Sequence, residues 1–289
     1  MTEQSRQDAR AANAEQILYW NAVGGPKWVH YQAMLDRQLD VLGEDTMRAA
    51  GVTAGESVLD VGCGCGSTTL ELARHVGPTG RAVGVDISHP MLELARERAF
   101  AADLRHVFFE EGDAQTFHFR PGFDLVFSRF GVMFFDDPVR AFTNLRTALA
   151  ENGRLAFVCW QGIQKNPWMG VPMMAALRHL TVELPSSPHA PGPFAFADID
   201  RVKSILAASG YRDVTVEGRD VELSVGGGGT LDDTVRFVLE MGPVGRALAG
   251  ASDEVREAVG RDVRESIAAY ERPDGVIMKG AVWIVKAHA

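Results

Sequence analysis

Cysteine is scarce in this 289-residue chain. Its three residues, Cys63, Cys65 and Cys159, are too few for a disulfide framework. Cys63 and Cys65 stand one residue apart, a spacing ill suited to a structural bridge, and no histidine lies near enough in sequence to complete a zinc knuckle. They read as loop fillers, with reduced thiols and a cytoplasmic setting as the default. Long apolar runs are also missing, because no stretch approaches the roughly 18 residues that a membrane helix needs. The polar opening MTEQSRQDAR lacks the apolar core of a secretory signal. Runs of Lys or Arg are absent, and the formal net charge is -9. A nucleic-acid groove needs a cationic surface to displace counterions from phosphates. Membrane and nucleic acid are therefore not expected partners. A homodimer is compatible with the chain, but nothing specific marks one.

What is present is a regular alternation. Residues 8–50 read as helix interrupted at Gly24-Gly25-Pro26, with Trp28, Tyr31, Met34, Leu35, Leu39 and Leu42 at helical spacing. Then SVLDVG, RAVGVDIS, HVFFEEGD, FDLVFSRFGV and RLAFVCW read as five strands separated by helical segments. Asp136-Asp137-Pro138 opens a helix ending near Asn152-Gly153, with carboxylates at the positive end of its dipole. Such alternation predicts an α/β fold with a doubly wound parallel sheet. The remainder divides into an apolar insertion at 161–196, a helix and strand at 197–225, helical patterning at 226–272 behind a flexible Gly226–Gly229 break, and a last strand at 273–289. Residues 1–50 and the two insertions are expected to cap a core at 51–160.

The chemistry concentrates in Val58-Leu59-Asp60-Val61-Gly62-Cys63-Gly64-Cys65-Gly66-Ser67-Thr68-Thr69. A strand feeds a glycine turn that opens a helix, so backbone N–H groups face a ligand. By itself this indicates only a nucleotide-like ligand. The spacing G-x-G-x-G differs from the dinucleotide fingerprint G-x-G-x-x-G. Asp60 at the strand's end would repel a pyrophosphate but not a ligand bearing an ammonium and a sulfonium. Asp86 closes the second strand 20 residues beyond Gly66, where a carboxylate can accept from ribose hydroxyls; that position alone fits NAD equally well.

These residues resemble the class I S-adenosylmethionine-dependent methyltransferases. The matching pieces are VLDVGCGCGSTTLELA, VGVDIS, EGDAQTF, FDLVFSRFGVMFF and GRLAFVCW, in order across residues 57–160. The resemblance implies a Rossmann-like, seven-stranded sheet of order 3-2-1-4-5-7-6 with the last strand antiparallel, and S-adenosylmethionine as cofactor with S-adenosylhomocysteine as product. It also implies that Gly62, Gly64 and Gly66 line the methionine portion and that Asp60 orders its amino group. Asp86 would hold the ribose, Ile87 would pack on the adenine, Asp113 and Ala114 would read its edge, and Ser128 would border the cofactor. Members acting on small molecules at carbon or oxygen, including the ubiquinone/menaquinone-biosynthesis type, share weaker likeness in the YWN and GGPKW segments. There Tyr19, Trp20 and Trp28 are candidates either to close over the cofactor or to pack the core.

Absences narrow the acceptor. The Asn/Asp-Pro-Pro-Tyr/Phe motif of amino-methylating members is replaced by Ser128-Arg129-Phe130-Gly131. Metal ligands of the catechol type and the cysteine set of arsenite methylation are missing too, which leaves a metal-free transfer to a small organic acceptor. Catalytic residues are not legible. Arg129 could orient an acidic acceptor or pair with a structural carboxylate, and His30, His118, His179 and His189 are base candidates. Trp160, Trp168, Met169, Val171, Met173 and Met174 either line a pocket for a hydrophobic or aromatic molecule or pack the cap onto the core. Two rival readings stay open: an NAD(P)-dependent oxidoreductase, and a binding protein that keeps the cofactor fold without catalysis.

Overall fold

The computed structural model describes residues 13–181, 187 and 189–289. The expected helix start at residues 8–12 and part of the 161–196 insertion lie outside the described residues. Strands β1 (Ser57–Val61), β2 (Arg81–Asp86), β3 (Val107–Glu111), β4 (Phe123–Arg129) and β5 (Leu149–Trp160) run parallel, in the order β3-β2-β1-β4-β5. Beyond β5 the order continues through β8 (Gly275–His288) to β6 (Arg212–Ser224), and β8 is antiparallel to both neighbours. The seven long strands form the mixed sheet of a Rossmann-like α/β fold.

The strands' residue alternation divides the core. Leu59, Val61, Val126, Leu155 and Phe157 face one apolar cluster, while Val58, Leu125, Phe127 and Ala156 face the other. Both faces of the central strands are therefore buried, which explains their near-continuous apolar sequence. Full burial of side chains such as Phe127, Phe142 and Phe157 contributes about 1.5–3 kcal/mol each.

The N-terminal segment differs from expectation at Gly24-Gly25-Pro26. Helix α1 (Ala14–Tyr19) continues through a single π-helical turn, Trp20–Gly24, into α2 (Gly25–His30) and then α3 (Gln32–Ala50). The chain bends without leaving the helical region because Pro26 falls in a first turn, where its missing N–H is no loss. Helix α4 (Ser67–Val76) follows the glycine loop, and α5 (His89–Ala101) follows β2. Helix α6 (Pro138–Ala148) is capped by Asp137, which accepts from the Arg140 N–H. It ends at Ala148 rather than near Asn152-Gly153, because Leu149 already pairs with Phe123 across the irregular start of β5.

The insertion after β5 carries α7 (Pro167–Ala176), and α8 (Ile199–Ala208) precedes β6. After β6 come α9 (Leu231–Glu240), α10 (Gly242–Ala247) and α11 (Asp253–Ala268). Residues 271–272, expected at the end of the helical stretch, instead form the short strand β7 (Glu271–Arg272) paired with the start of β8. Pro273-Asp274 supplies the turn between them. No helix among the described residues is long and apolar enough to cross a membrane.

Candidate cofactor and acceptor site

One cleft of about 220 Å³ opens along the carboxyl ends of β1, β2, β4 and β5, roofed by α2, α3, α7, α9 and α10. This is the edge at which open α/β sheets bind ligands. Gly62 and Gly64 line it with φ of 68° and 54°, a left-handed backbone that other residues adopt only at a cost. The Gly64 N–H donates to Asp86 Oδ2 at 2.8 Å, and the Ser88 N–H donates to Asp86 Oδ1 at 2.9 Å. The end of β2 thus locks the loop after β1. Burial raises the Asp86 carboxyl to about 6, and the two backbone donors pull against that rise. Each oxygen keeps acceptor capacity for a further donor.

Ile87, Asp113 and Ala114 complete this arc of the wall. Asp113 is raised by burial and pulled back by Gln115, whose N–H donates to Asp113 Oδ1 at 3.0 Å. Gln115 in turn accepts from the Asp137 N–H at 2.7 Å, tying this corner to the start of α6. The acids here suit the hydroxyl and amino donors of an adenosine. Arg129, the one Lys or Arg in the wall among the described residues, is held by Asp40 Oδ1 at 3.0 Å. The donor set therefore fits S-adenosylmethionine, and Arg129 stands in the structural pairing rather than free.

The N-terminal strap closes over this arc. Trp20 lines the cleft, edge-on to Trp28 (5.9 Å between ring centres) and to Phe134 (5.2 Å). Its carbonyl accepts from Ser88 Oγ at 2.8 Å, and a Cβ on Gly25 would lie 2.3 Å from that same hydroxyl oxygen. The strap reaches the loop after β2 only because Gly25 has no side chain. Asn21 clamps the join: its Nδ2 donates to the Ile87 carbonyl at 2.8 Å, and its Oδ1 accepts from the His89 N–H at 2.9 Å. Tyr19 packs edge-on to Trp20 and under the Arg246 guanidinium, outside the cleft wall.

Several expected residues lie elsewhere. Asp60 is fully buried and does not line the cleft. Its Oδ2 accepts from Thr68 Oγ1 (2.6 Å) and Thr69 Oγ1 (2.7 Å), so it fastens the start of α4 to β1. Burial raises its carboxyl, against those two hydroxyls and the charge of Arg129. The strand's alternation explains the placement, since Asp60 shares a face with Val58 while Leu59 and Val61 share the other. Ser128 is also fully buried and outside the wall; its Oγ donates to the Val61 carbonyl at 2.7 Å. Gly66 packs instead against Ala95 and Phe109, which a Cβ would meet at 3.0 and 3.1 Å. His30, His118, His179 and His189 are all exposed and none lines the cleft. His179 pairs with Asp262 at 3.0 Å.

Cys63 and Cys65 do line the wall, both buried. Burial pushes the Cys63 thiol well up and the Cys65 thiol to about 12, so both stay protonated near neutrality. Beyond the cofactor arc the wall turns apolar. Phe130 stacks on Trp160 at 4.3 Å, Trp168 packs on Trp160 at 5.1 Å, and Met169, Phe237, Val238 and Val244 complete the chamber. Of the other apolar candidates in the insertion, Met174 is exposed, while Val171 and Met173 pack against the core.

The sequence reading missed three features of this wall. Phe130 holds a φ of 61°, costly for an aromatic residue, and nothing in its sequence context signals that. Asp36 lines the wall beside Arg98, which donates to it at 2.6 Å and to the Cys65 carbonyl at 2.6 Å. Gln38 is 2% exposed and also lines it. A signal existed there, because Gln38 falls three residues after Leu35 and four before Leu42, on the helix's apolar stripe.

Sheet order, glycine loop and acidic arc together define a Rossmann-like fold of the methyltransferase type. Residues 58–153 match a family described as "Methyltransferase domain". It is similar to a demethylmenaquinone methyltransferase of Lactococcus lactis, 31% identical over 123 residues, covering 42% of this chain and 49% of that one. It is 39% identical over 104 residues to the aklanonic acid methyltransferase DauC of a Streptomyces species, covering 36% and 47%. Among solved structures, the YcgJ protein of Bacillus subtilis matches with a TM-score of 0.56 at 14% identity, over 85% of this chain and 97% of that one, a likeness of fold. The chain spans about half the length of the curated relatives it matches.

Proposed function

We propose that the protein transfers the methyl group of S-adenosylmethionine to a carbon or oxygen of a small hydrophobic or aromatic acceptor, releasing S-adenosylhomocysteine. One observation carries this reading: a single cleft joins the Gly62, Gly64, Asp86 and Asp113 arc to the apolar chamber of Phe130, Trp160, Trp168 and Met169. The cofactor, when bound, supplies a methyl carbon on a positively charged sulfur. Asp86 would accept from its ribose hydroxyls, Asp113 and Ala114 would hold its adenine through their polar groups, and Ile87 would offer that base an apolar contact. Trp20 and Trp28 exclude water from this half, and the aromatic chamber holds an acceptor against it. Orientation and dryness then carry much of the rate, since displacement at a sulfonium methyl needs an aligned, desolvated nucleophile. None of the four candidate histidines stands in the cleft, so the reading favours an acceptor whose nucleophilic atom ionises readily. The names of the relatives, which describe methyltransferases of demethylmenaquinone and aklanonic acid, fit a small organic acceptor. A reducing, cytoplasmic setting suits the three buried thiols.

The test is calorimetric titration with S-adenosylmethionine, S-adenosylhomocysteine, NAD and NADP, alongside Asp86→Ala. Saturable binding of the first two alone, weakened in the variant, supports the reading. Binding of NAD or NADP in their place returns the loop to the dehydrogenase class.

A further inference from the structure

The cleft wall carries one glutamine, Gln38, whose amide N–H groups make no hydrogen bond among the described residues. Gln38 projects from α3 on the stripe of Leu35, Leu39 and Leu42, and it is 2% exposed. Its Oε1 accepts from the Gly226 N–H at 2.7 Å. That contact fixes which way round the amide sits, because only the oxygen can accept from a backbone N–H. The Nε2 group, with two N–H bonds, meets no acceptor among the described residues. Gly226 belongs to the turn between β6 and α9, and a Cβ on it would lie 3.5 Å from the Phe237 ring. Gln38 is part of the cleft wall, and the Gly226 that it holds packs near the Phe237 ring of the chamber.

The Nε2 group is not among the fully buried, unpaired side-chain atoms, so it meets the cleft and not the packed core, and a donor left unpaired on an apolar wall is unfavourable. An apolar residue of similar volume would pack the same space without that cost. We propose that the Gln38 carboxamide is the specificity-determining polar contact of the chamber, donating through Nε2 to a carbonyl or oxyanion on the acceptor. The assignment rests on the methyltransferase reading for its biological meaning, and it narrows the acceptor class. The acceptor is an apolar, ring-bearing molecule with an oxygen that accepts a hydrogen bond, such as a ketone or an ionised phenol or enol. A site built around such a donor rejects the analogue lacking the oxygen, because the amide is then left unpaired. The same contact would steady an oxyanion on the nucleophile while the rings of Trp160 and Trp168 hold its apolar body.

The probes are 1-tetralone and tetralin, which share a two-ring carbon skeleton and differ chiefly in one carbonyl oxygen. Their affinities are measured by calorimetry for the wild type, Gln38→Leu and Gln38→Glu, each with and without S-adenosylhomocysteine. Glu retains an oxygen for the Gly226 N–H and nearly the same shape, but replaces the donor with an acceptor. The expected result is a tetralone-to-tetralin affinity ratio that falls at least about fivefold in both variants, the value of one hydrogen bond. An unchanged ratio overturns the proposal. So does a ratio lost in Gln38→Leu and restored in Gln38→Glu, which assigns Gln38 to holding Gly226 alone. Failure of either probe to bind the wild type overturns it as well. The S-adenosylhomocysteine titration reports separately on the cofactor: a wild type that does not bind it removes the methyltransferase reading, while the tetralone ratio still decides Gln38.

Discussion

A Cβ on Gly62 would stand 2.7 Å from Cα of Gly131, and one on Gly131 would stand 2.8 Å from Cα of Gly62. The loops after β1 and β4 touch backbone to backbone, and the floor between the cofactor arc and the aromatic chamber exists because neither residue has a side chain. Gly131 has ordinary right-handed helical angles, φ -80° and ψ -40°, so its requirement is for space alone. Gly131→Ala should lower stability by about 1–3 kcal/mol, as overpacking does, and weaken S-adenosylhomocysteine binding as the loops part. Gly62→Ala should cost more, by roughly another 1 kcal/mol for its positive φ. Denaturant unfolding and calorimetry check both; equal effects from the two would contradict the added backbone cost at Gly62.

Asp86 gives a prediction with opposite signs for fold and ligand. Its carboxyl lies at about 6 in the folded chain against an ordinary 3.8, raised first by burial. The unfolded chain holds fewer protons on this group between those values. The contribution of Asp86 to stability is therefore largest below the lower value and is lost as pH rises toward the higher one. On the proposed reading ribose hydroxyls would donate to the anion, so affinity for S-adenosylhomocysteine should move the other way, strengthening as pH rises through about 6. Binding near that pH should release protons, seen as a buffer-dependent heat in calorimetry. Asp86→Asn should flatten both dependences. A pH-independent affinity from 5 to 7 in the wild type would separate Asp86 from the cofactor.

Asn21 tests whether the strap retains the cofactor. It holds both the Ile87 carbonyl and the His89 N–H across the join to α5. Asn21→Ala removes both bonds without touching the glycine loop. Dissociation of S-adenosylhomocysteine should accelerate about tenfold with little change in association, as expected when a gate loses its latch. Stopped-flow displacement measures it; an unchanged dissociation rate would show that Trp20 and Trp28 merely pack the core.

The fold was legible because its signals are periodic. Five strands, their helices and a last strand follow from alternation and turn residues, while the sheet order and the antiparallel direction of that last strand came from the resemblance to the methyltransferases. Of the expected site residues, Gly62 and Gly64 at the turn and Asp86 at a strand's end line the cleft. Residues whose side-chain direction matters were harder. Asp60 follows the strand's alternation toward α4, and Ser128 turns inward to Val61, so neither reaches the cleft. The four candidate histidines lie exposed and outside the cleft wall, because side-chain type says nothing of which surface a helix or loop presents. The chamber is assembled from α3, β5, α7 and α9, distant in sequence, and only contact order between them reveals it. Gln38 was missed although its place among Leu35, Leu39 and Leu42 carried a signal, a polar residue on an apolar stripe.

Asn166 anchors the chamber's wall, and its removal should be felt there and in stability together. It is fully buried, and its Nδ2 donates to the carbonyls of Gln161 (2.9 Å), Gly162 (3.2 Å) and Ala281 (3.1 Å). Its Oδ1 accepts from the Ala281 N–H (3.0 Å) and from Trp168 Nε1 (3.3 Å). One side chain thus ties the entry of α7 to β8 and fixes the indole that packs on Trp160. Asn166→Ala leaves these buried groups unpaired and should cost about 3 kcal/mol or more. Asn166→Asp keeps the acceptor side but sets a second oxygen against the carbonyls of Gln161, Gly162 and Ala281, so it should be at least as harmful despite its nearly identical shape. Thermal unfolding gives the stability loss, and tetralin titration of whatever remains folded gives the chamber. A variant that loses stability but binds tetralin as the wild type does would show that Trp168 holds its place without Asn166.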